Sequence, residues 1–127
     1  MTALAFDIDI VIARPDRQIE ARIASQDSLV ALVGPSGRGK TSVLDAIAGL
    51  LRPERGHIAV GGTVLFDAAK GIDLRPEARG AGYVFQDSRL FPHLSVEQNL
   101  SFGMRYGSGR TPFAGAEECA ELLGIAH

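Results

Sequence analysis

Apolar and polar residues alternate along two runs near the start of the chain. The first run covers residues 4–12 and the second covers residues 19–23, with Arg14, Pro15 and Asp16 between them. A period of two is typical of a strand that buries one face, and the intervening residues have the composition of a turn. The pattern therefore predicts an antiparallel hairpin.

A strand, a glycine-rich turn and a helix follow without a break. Leu29 to Val33 is a continuous apolar run that ends at Gly34. Such a run is typical of a strand buried on both faces, so it predicts a central parallel strand. Beyond the turn, apolar residues recur at helical spacing over residues 43–51. We expect Pro53 and Gly56 to stop this helix.

The middle of the chain predicts a second hairpin and a connection. Residues 57–60 and 63–66 have strand composition and flank Gly61-Gly62, a dipeptide that suits the positive φ angles of a tight turn. Residues 67–80 are rich in charge, glycine and proline, which predicts an exposed connection. Residues 82–85 then predict a short strand.

Two helices are predicted in the remainder of the chain. Ser95 and Gln98 have the spacing of a capping box, ahead of a helix that we expect to reach about Tyr106. A further helix is predicted from Ala114 to Leu123, with Gly124 as its C-terminal stop.

The composition is that of an ordinary compact domain. Of the 127 residues, 46% are hydrophobic and 22% are charged, and the formal net charge is −2. This balance lacks the basic excess that binding to a phosphate backbone requires, so we expect no nucleic-acid partner. Cys119 is the only cysteine, which excludes an intrachain disulfide. No uncharged apolar run approaches the roughly 20 residues that span a bilayer.

Residues 34–41, between the predicted strand and the predicted helix, match the phosphate-loop pattern G-x-x-x-x-G-K-[ST]. Given this composition, the motif would arise by chance with a probability of about 0.25%. Glycines allow the main chain to curl around an anion so that its amides face phosphate oxygens, and the helix adds the positive end of its dipole. The predicted nucleotide-binding residues are Gly34, Pro35, Ser36, Gly37, Arg38, Gly39, Lys40, Thr41 and Ser42.

Individual roles follow from the chemistry of three side chains. The Lys40 ammonium is expected to reach the β- and γ-phosphates of ATP, and the Thr41 hydroxyl to ligate Mg²⁺. Ser42 is expected to donate a hydrogen bond to an α-phosphate oxygen. The motif therefore predicts ATP and Mg²⁺ as cofactors.

Beyond the loop, the chain resembles the N-terminal half of an ABC transporter ATP-binding subunit. The resemblance rests on residues 49–58, on the hairpin from Gly61 to Asp67 and on residues 82–100, and it spans nearly the whole chain. Within the family, residues 83–93 and 122–126 are most similar to the subunits that energise molybdate import.

The resemblance implies an α/β P-loop fold with an antiparallel β layer, parallel core strands and the start of a helical subdomain. The ATP-binding core would cover residues 1–88 and the helical part residues 89–127. Gln86 would ligate Mg²⁺ and the attacking water, and would be catalytic together with Lys40. Residues Gln86 to Leu94 would contact a transmembrane permease.

In such transporters, two ATP-binding subunits enclose the nucleotide at the cytoplasmic face of the inner membrane. The 127 residues contain neither the family's Leu-Ser-Gly-Gly-Gln signature, nor its strand ending in Asp-Glu, nor its switch histidine. Asp67 and residues 100–103 resemble parts of these motifs, but we interpret Asp67 as structural and residues 100–103 as the interior of a helix. The family's adenine-stacking aromatic is also missing from residues 14–18. We therefore expect the chain by itself to hydrolyse ATP negligibly.

Two alternatives remain open from the sequence. The chain could be a non-catalytic nucleotide-binding module or the product of a truncated gene. It could instead be a small P-loop kinase, for which residues 71–79, with Arg75 among them, would have to form a substrate lid.

Overall fold

The computed structural model describes residues 4–35, 37, 39–85, 87, 89–102, 121, 122 and 124. Contacts group the chain into two compact units, Met1–Tyr83 and Val84–His127. The regular elements are β1 (Phe6–Ala13), β2 (Gln18–Ser25), α1 (Lys40–Ala48), β3 (Arg55–Val60), β4 (Thr63–Asp67), β5 (Ile72–Asp73), a 3₁₀ turn (Pro76–Ala78) and α2 (Val96–Ser101).

An antiparallel sheet forms the first unit, with its five strands in the order β2-β1-β3-β4-β5. Both predicted hairpins are confirmed. In the first, Ile12 pairs with Ile19. In the second, Gly61 and Gly62 have φ angles of +58° and +83°, which glycine adopts without the steric cost of a Cβ atom.

A β-bulge interrupts the second hairpin. Ile58 pairs with Phe66 and Ala59 pairs with Val64, so Leu65 is an extra residue on β4. As a result, the consecutive residues Leu65 and Phe66 are both buried, where regular alternation would bury only one of them.

The hydrophobic core lies between one face of the sheet and helix α1. The sheet contributes side chains that are almost fully buried, and Val43 and Ala46 of α1 belong to the same cluster. The largest fully buried side chains are Ile8, Ile10, Ile12, Ile58 and Phe66. The prediction of an apolar helix face is confirmed in part: Val43 and Ala48 are buried, but Leu44 is 47% exposed.

The prediction of parallel core strands is wrong for the residues that the structure describes. Leu29 to Val33 has no strand structure, and neither do residues 82–85. Leu29 is 85% exposed and Val33 is 92% exposed. A strand buried on both faces needs neighbouring strands to supply hydrogen bonds and covering elements, and no described strand pairs with this segment.

Helix α1 ends earlier than the sequence predicts. Gly49 has φ +90°, and the amides of Gly49 and Leu50 donate to the carbonyls of Ala46 and Asp45 at 3.3 Å and 2.8 Å. These are the two hydrogen bonds of a Schellman motif. The helix therefore stops at Gly49, and Pro53 and Gly56 lie beyond its end.

The connection over residues 67–80 contains short regular elements that the sequence does not predict. Residues 72–73 form β5 on the edge of the sheet, and a 3₁₀ turn follows. Arg79 is buried, with 1% of its side chain exposed. Most other side chains of this connection are exposed, as the sequence predicts.

In the second unit, helix α2 begins at the predicted capping box. The Ser95 hydroxyl accepts from the Gln98 amide at 3.2 Å, and the Gln98 side chain accepts from the Ser95 amide at 2.9 Å. The predicted extension to Tyr106 lies outside the described residues. So does most of the final helix, although residues 121–122 are helical and Gly124 has φ +74°. Among the described residues, no helix has both the length and the apolar character needed to cross a bilayer.

Candidate phosphate-binding site

The glycine-rich turn leads directly into the N-terminus of α1. Gly37 has φ +80° and Gly39 has φ +92°, a region that favours glycine. A Cβ atom on Gly39 would lie 2.9 Å from the Cδ1 and Cγ2 atoms of Ile19, so glycine is also required for the close approach of β2. The sequence of the turn therefore serves both its conformation and its packing.

Helix α1 starts without a side-chain cap. Gly39 occupies the N-cap position, and the first turn of the helix contains no acidic residue. The first N–H groups of a helix have no intrahelical acceptor, and they carry the positive end of the helix dipole. This end of α1 is therefore suited to an anion with several acceptor oxygens, such as a polyphosphate.

The three predicted side chains occupy consecutive positions in the first turn of α1. The Lys40 ammonium donates a hydrogen bond to the Gly34 carbonyl across the turn. Thr41 is exposed, whereas Ser42 is 7% exposed. A phosphate bound at the helix terminus would offer Lys40 an acceptor of greater charge than a carbonyl, so the residues present fit a nucleotide.

Two arginines from the β1–β2 turn also contact this site, and sequence reasoning did not identify them. The Arg14 guanidinium donates to the Ser42 Oγ at 3.0 Å, and the Arg17 guanidinium donates to the Gly37 carbonyl. The alternation of the two strands does indicate where these arginines lie. Arg14 lies two residues after Ile12 and Arg17 two residues before Ile19, so both continue the strand face that packs on α1.

Not every predicted site residue falls within the described part of the chain. Ser36, Arg38 and Gln86 lie outside it, so their predicted roles stay predictions. Gly34 and Pro35 are described and exposed. Within the described residues, no group of three or more His, Cys, Asp or Glu side chains is arranged to hold a metal.

The opposite end of α1 is held by Arg79, which the sequence reasoning also missed. Its guanidinium donates to the carbonyls of Ala46 at 2.8 Å, Ile47 at 3.1 Å and Leu74 at 2.8 Å, and to the Asp73 carboxylate at 2.9 Å. Burial lowers the pKa of the Arg79 guanidinium, and Asp73 partly offsets this effect. A cation at the C-terminus of a helix stabilises it through the dipole.

The two partial motif matches have structural explanations. The Asp67 carboxylate accepts from the amides of Ala69 at 3.1 Å and Lys70 at 3.2 Å, so it caps the turn after an antiparallel strand. Leu100 and Ser101 are the last two residues of α2, which is capped at Ser95, and Phe102 is its C-cap; these residues therefore lie at the end of a helix and not in its interior, and Gly103 lies outside the described residues.

The described part of the predicted permease-contacting region forms a loop held by Asn99. Its side-chain amide donates to the carbonyls of Phe91, Leu94 and Ser95 at 2.9–3.3 Å, and its oxygen accepts from the Phe91 amide at 2.9 Å. Phe91 also packs on Phe102, with ring centroids 4.4 Å apart. Leu90 is left 73% exposed.

A glycine turn, an uncapped helix N-terminus and a lysine in its first turn are together the features of the P-loop class. Comparison with known sequences then gives the family: residues 20–127 match the family described as ABC transporter, and the chain belongs to it. The predicted α/β P-loop class and the predicted resemblance are both confirmed.

Several relatives carry the name molybdenum import ATP-binding protein ModC. The chain is 48% identical to that of Rhodospirillum rubrum over 94% of its own length and 32% of the relative. It is 52% identical to that of Brucella abortus, over 86% of its length and 30% of the relative. It is 45% identical to that of Mesorhizobium japonicum, over 93% of its length and 32% of the relative. The chain thus spans about a third of these relatives.

Proposed function

We propose that this chain is the nucleotide-binding part of an ATP-binding subunit that energises import of molybdate or a similar oxyanion. One observation carries the proposal: helix α1 has an uncapped N-terminus after the glycine-rich turn, and Lys40 in its first turn donates a hydrogen bond to the Gly34 carbonyl of that turn. The relatives named as molybdenum import ATP-binding proteins support the choice of transporter and cargo.

Binding depends on three residues in the first turn of α1. Lys40 exchanges the Gly34 carbonyl for the β- and γ-phosphate oxygens of ATP, which bear more negative charge. Thr41 presents its exposed hydroxyl as a ligand for Mg²⁺. Ser42, which is almost buried, donates its hydroxyl hydrogen to the α-phosphate. Main-chain amides at the helix terminus supply the remaining donors.

Catalysis in this class consists mainly of positioning and charge stabilisation during in-line attack on the γ-phosphate. Lys40 would stabilise the developing charge, and the family resemblance implies that Gln86 would orient the attacking water and would be a further ligand for Mg²⁺. A second ATP-binding subunit supplies the signature motif from across the nucleotide. Expressed as these 127 residues, the chain binds nucleotide with negligible turnover. The reason is that these residues do not contain the family's strand ending in Asp-Glu, which supplies the carboxylate that acts as the base.

Nucleotide binding is tested by titrating ATP and Mg²⁺ into the chain by calorimetry. Lys40→Ala should weaken binding by about 30-fold, the equivalent of about 2 kcal/mol for a hydrogen bond to a charged group. Lys70 is the other lysine of the chain, and it is exposed after the Asp67 turn. Lys70→Ala should leave the affinity within twofold. Wild-type protein that is folded but fails to bind ATP would contradict the proposal.

The catalytic part of the proposal is tested by steady-state phosphate release. Turnover should stay at the level of the Lys40→Ala variant. Robust turnover that Lys40→Ala abolishes would show that the chain itself completes the catalytic machinery, and the proposed need for a second subunit would then be abandoned. Binding without turnover in a longer chain that contains the missing motifs would favour a non-catalytic module.

The partner surface is proposed to lie at Gln86 to Leu94, with a transmembrane permease as the partner at the cytoplasmic face of the membrane. Support comes from the exposed apolar side chain of Leu90 on a loop that Asn99 holds in place. Leu90→Asp in the whole subunit should reduce co-purification with the permease. Val96→Asp is the control, because Val96 is 70% exposed but lies outside the proposed surface.

A further inference from the structure

The β1–β2 turn brings two guanidinium groups to the phosphate loop. Arg14 and Arg17 close the turn through main-chain hydrogen bonds of 2.9 Å and 3.4 Å to each other. Residues paired in this way direct their side chains to the same face of the hairpin. That face continues from Ile12 and Ile19, which are buried against α1, so both arginines extend beyond the core toward the N-terminus of the helix.

Contact between Arg14 and Ser42 constrains the Ser42 hydroxyl. A guanidinium group can only donate hydrogen bonds, so at 3.0 Å the Ser42 oxygen must act as the acceptor. The hydroxyl hydrogen is then left for a different acceptor. Because Ser42 is almost buried in the first turn of α1, a polyphosphate at the helix terminus is the acceptor that the proposed function provides.

We propose that Arg14 is a positioning residue of the nucleotide site. It fixes the Ser42 hydroxyl as a donor toward the α-phosphate, while Arg17 holds the Gly37 carbonyl of the loop. This inference rests on the proposed function. It also gives the β1–β2 turn a role in binding the phosphates, since residues 14–18 contain no aromatic ring on which a base can stack.

The test compares the affinity for ATP and Mg²⁺ among variants of the full chain. Arg14→Gln removes the charge, and Arg14→Lys keeps a charged donor. Arg22→Gln is the matched control, because Arg22 lies on β2 in the same hairpin and points to the face opposite Ile19 and Ile23. Ser42→Ala and the double variant complete a mutant cycle.

Arg14→Gln should weaken binding by about tenfold, which is the scale of one charge-assisted hydrogen bond, and Arg14→Lys should recover part of the loss. Arg22→Gln should stay within twofold of wild type. The double variant should bind no more weakly than Ser42→Ala, because Arg14 acts through Ser42. The melting temperature without nucleotide should change by at most about 2 °C in Arg14→Gln, since the side chain is exposed.

The other possible results distinguish an error in this inference from an error in the proposed function. If wild-type chain binds ATP and Lys40→Ala loses it, but Arg14→Gln binds like wild type or like Arg22→Gln, this inference is wrong and the proposed function stands. Additive losses in the double variant would show that Arg14 does not act through Ser42. If folded wild-type chain binds no ATP, the proposed function and this inference are rejected together.

Discussion

Replacing Arg79 with methionine measures how much a single buried guanidinium stabilises the first unit. The side chain is 1% exposed and donates four hydrogen bonds, three to main-chain carbonyls and one to Asp73. The Ala46 carbonyl also accepts from the Gly49 amide, so it keeps a partner in the variant. The carbonyls of Ile47 and Leu74 lose the Arg79 bond, which is the larger part of the cost.

The lost bonds to the Ile47 and Leu74 carbonyls cost about 1.5 kcal/mol each, because their donor is charged. The Asp73 pair is not counted, because its carboxylate is partly exposed. Arg79→Met should therefore lower the free energy of unfolding by about 3 kcal/mol, a large share of the stability of about 5–15 kcal/mol that is typical of a domain. Urea titration followed by far-UV circular dichroism measures the change.

Arg75→Gln is the control for this measurement. Arg75 precedes the same 3₁₀ turn but is exposed, so its replacement should change the free energy by less than about 0.5 kcal/mol. A loss below about 1 kcal/mol in Arg79→Met, with an unchanged urea dependence, would refute the conclusion that this guanidinium holds the C-terminus of α1.

Four further substitutions test other parts of the structure. In Gly56→Ala, the new Cβ would lie 1.9 Å from the Asp9 carbonyl oxygen at a φ of +107°, so we expect a loss above about 3 kcal/mol or no folded protein, measured by thermal unfolding. Gly61→Ala should cost only about 1 kcal/mol in the same assay, because φ is +58° and no atom lies within 4 Å of the new Cβ. Phe66→Ala empties a fully buried position and should cost about 3–5 kcal/mol in urea unfolding; a cost near 1 kcal/mol would contradict the described core. Asn99→Ala removes the side chain that bonds the loop at residues 91–95, and amide hydrogen exchange there should accelerate by about tenfold, whereas unchanged exchange would show that the loop is held by other contacts.

The sequence predicts those elements that are determined by residues close together in the chain. Two hairpins, the capping box at Ser95 and the helix after the phosphate loop each depend on residues within a few positions of one another. The strand predicted at Leu29 to Val33 depends on residues far away in the chain, because burial on both faces needs neighbouring strands, and the described sheet contains none beside this segment. Gly49 stops the helix four residues before Pro53, which is the stronger stop signal in the sequence.

The parts of the site that sequence reasoning missed are contacts between distant segments. Arg14 meets Ser42 across 28 positions, and Arg79 meets Ala46 across 33 positions. No spacing rule predicts such pairs before the order of the strands is known. Only the alternation of the first hairpin, which sets the face on which Arg14 and Arg17 lie, contained a usable signal.

The bulge in the second hairpin gives β4 one place where its length can change. Without Leu65, Val64 and Phe66 would become neighbours and would keep their partners Ala59 and Ile58, so no other side chain would change faces. Loss of a residue elsewhere in the paired part of β4 would move the following side chains of the strand to the opposite face of the sheet. Among homologous sequences, a one-residue gap in this strand is therefore expected at position 65, at the cost of one apolar group from the interior.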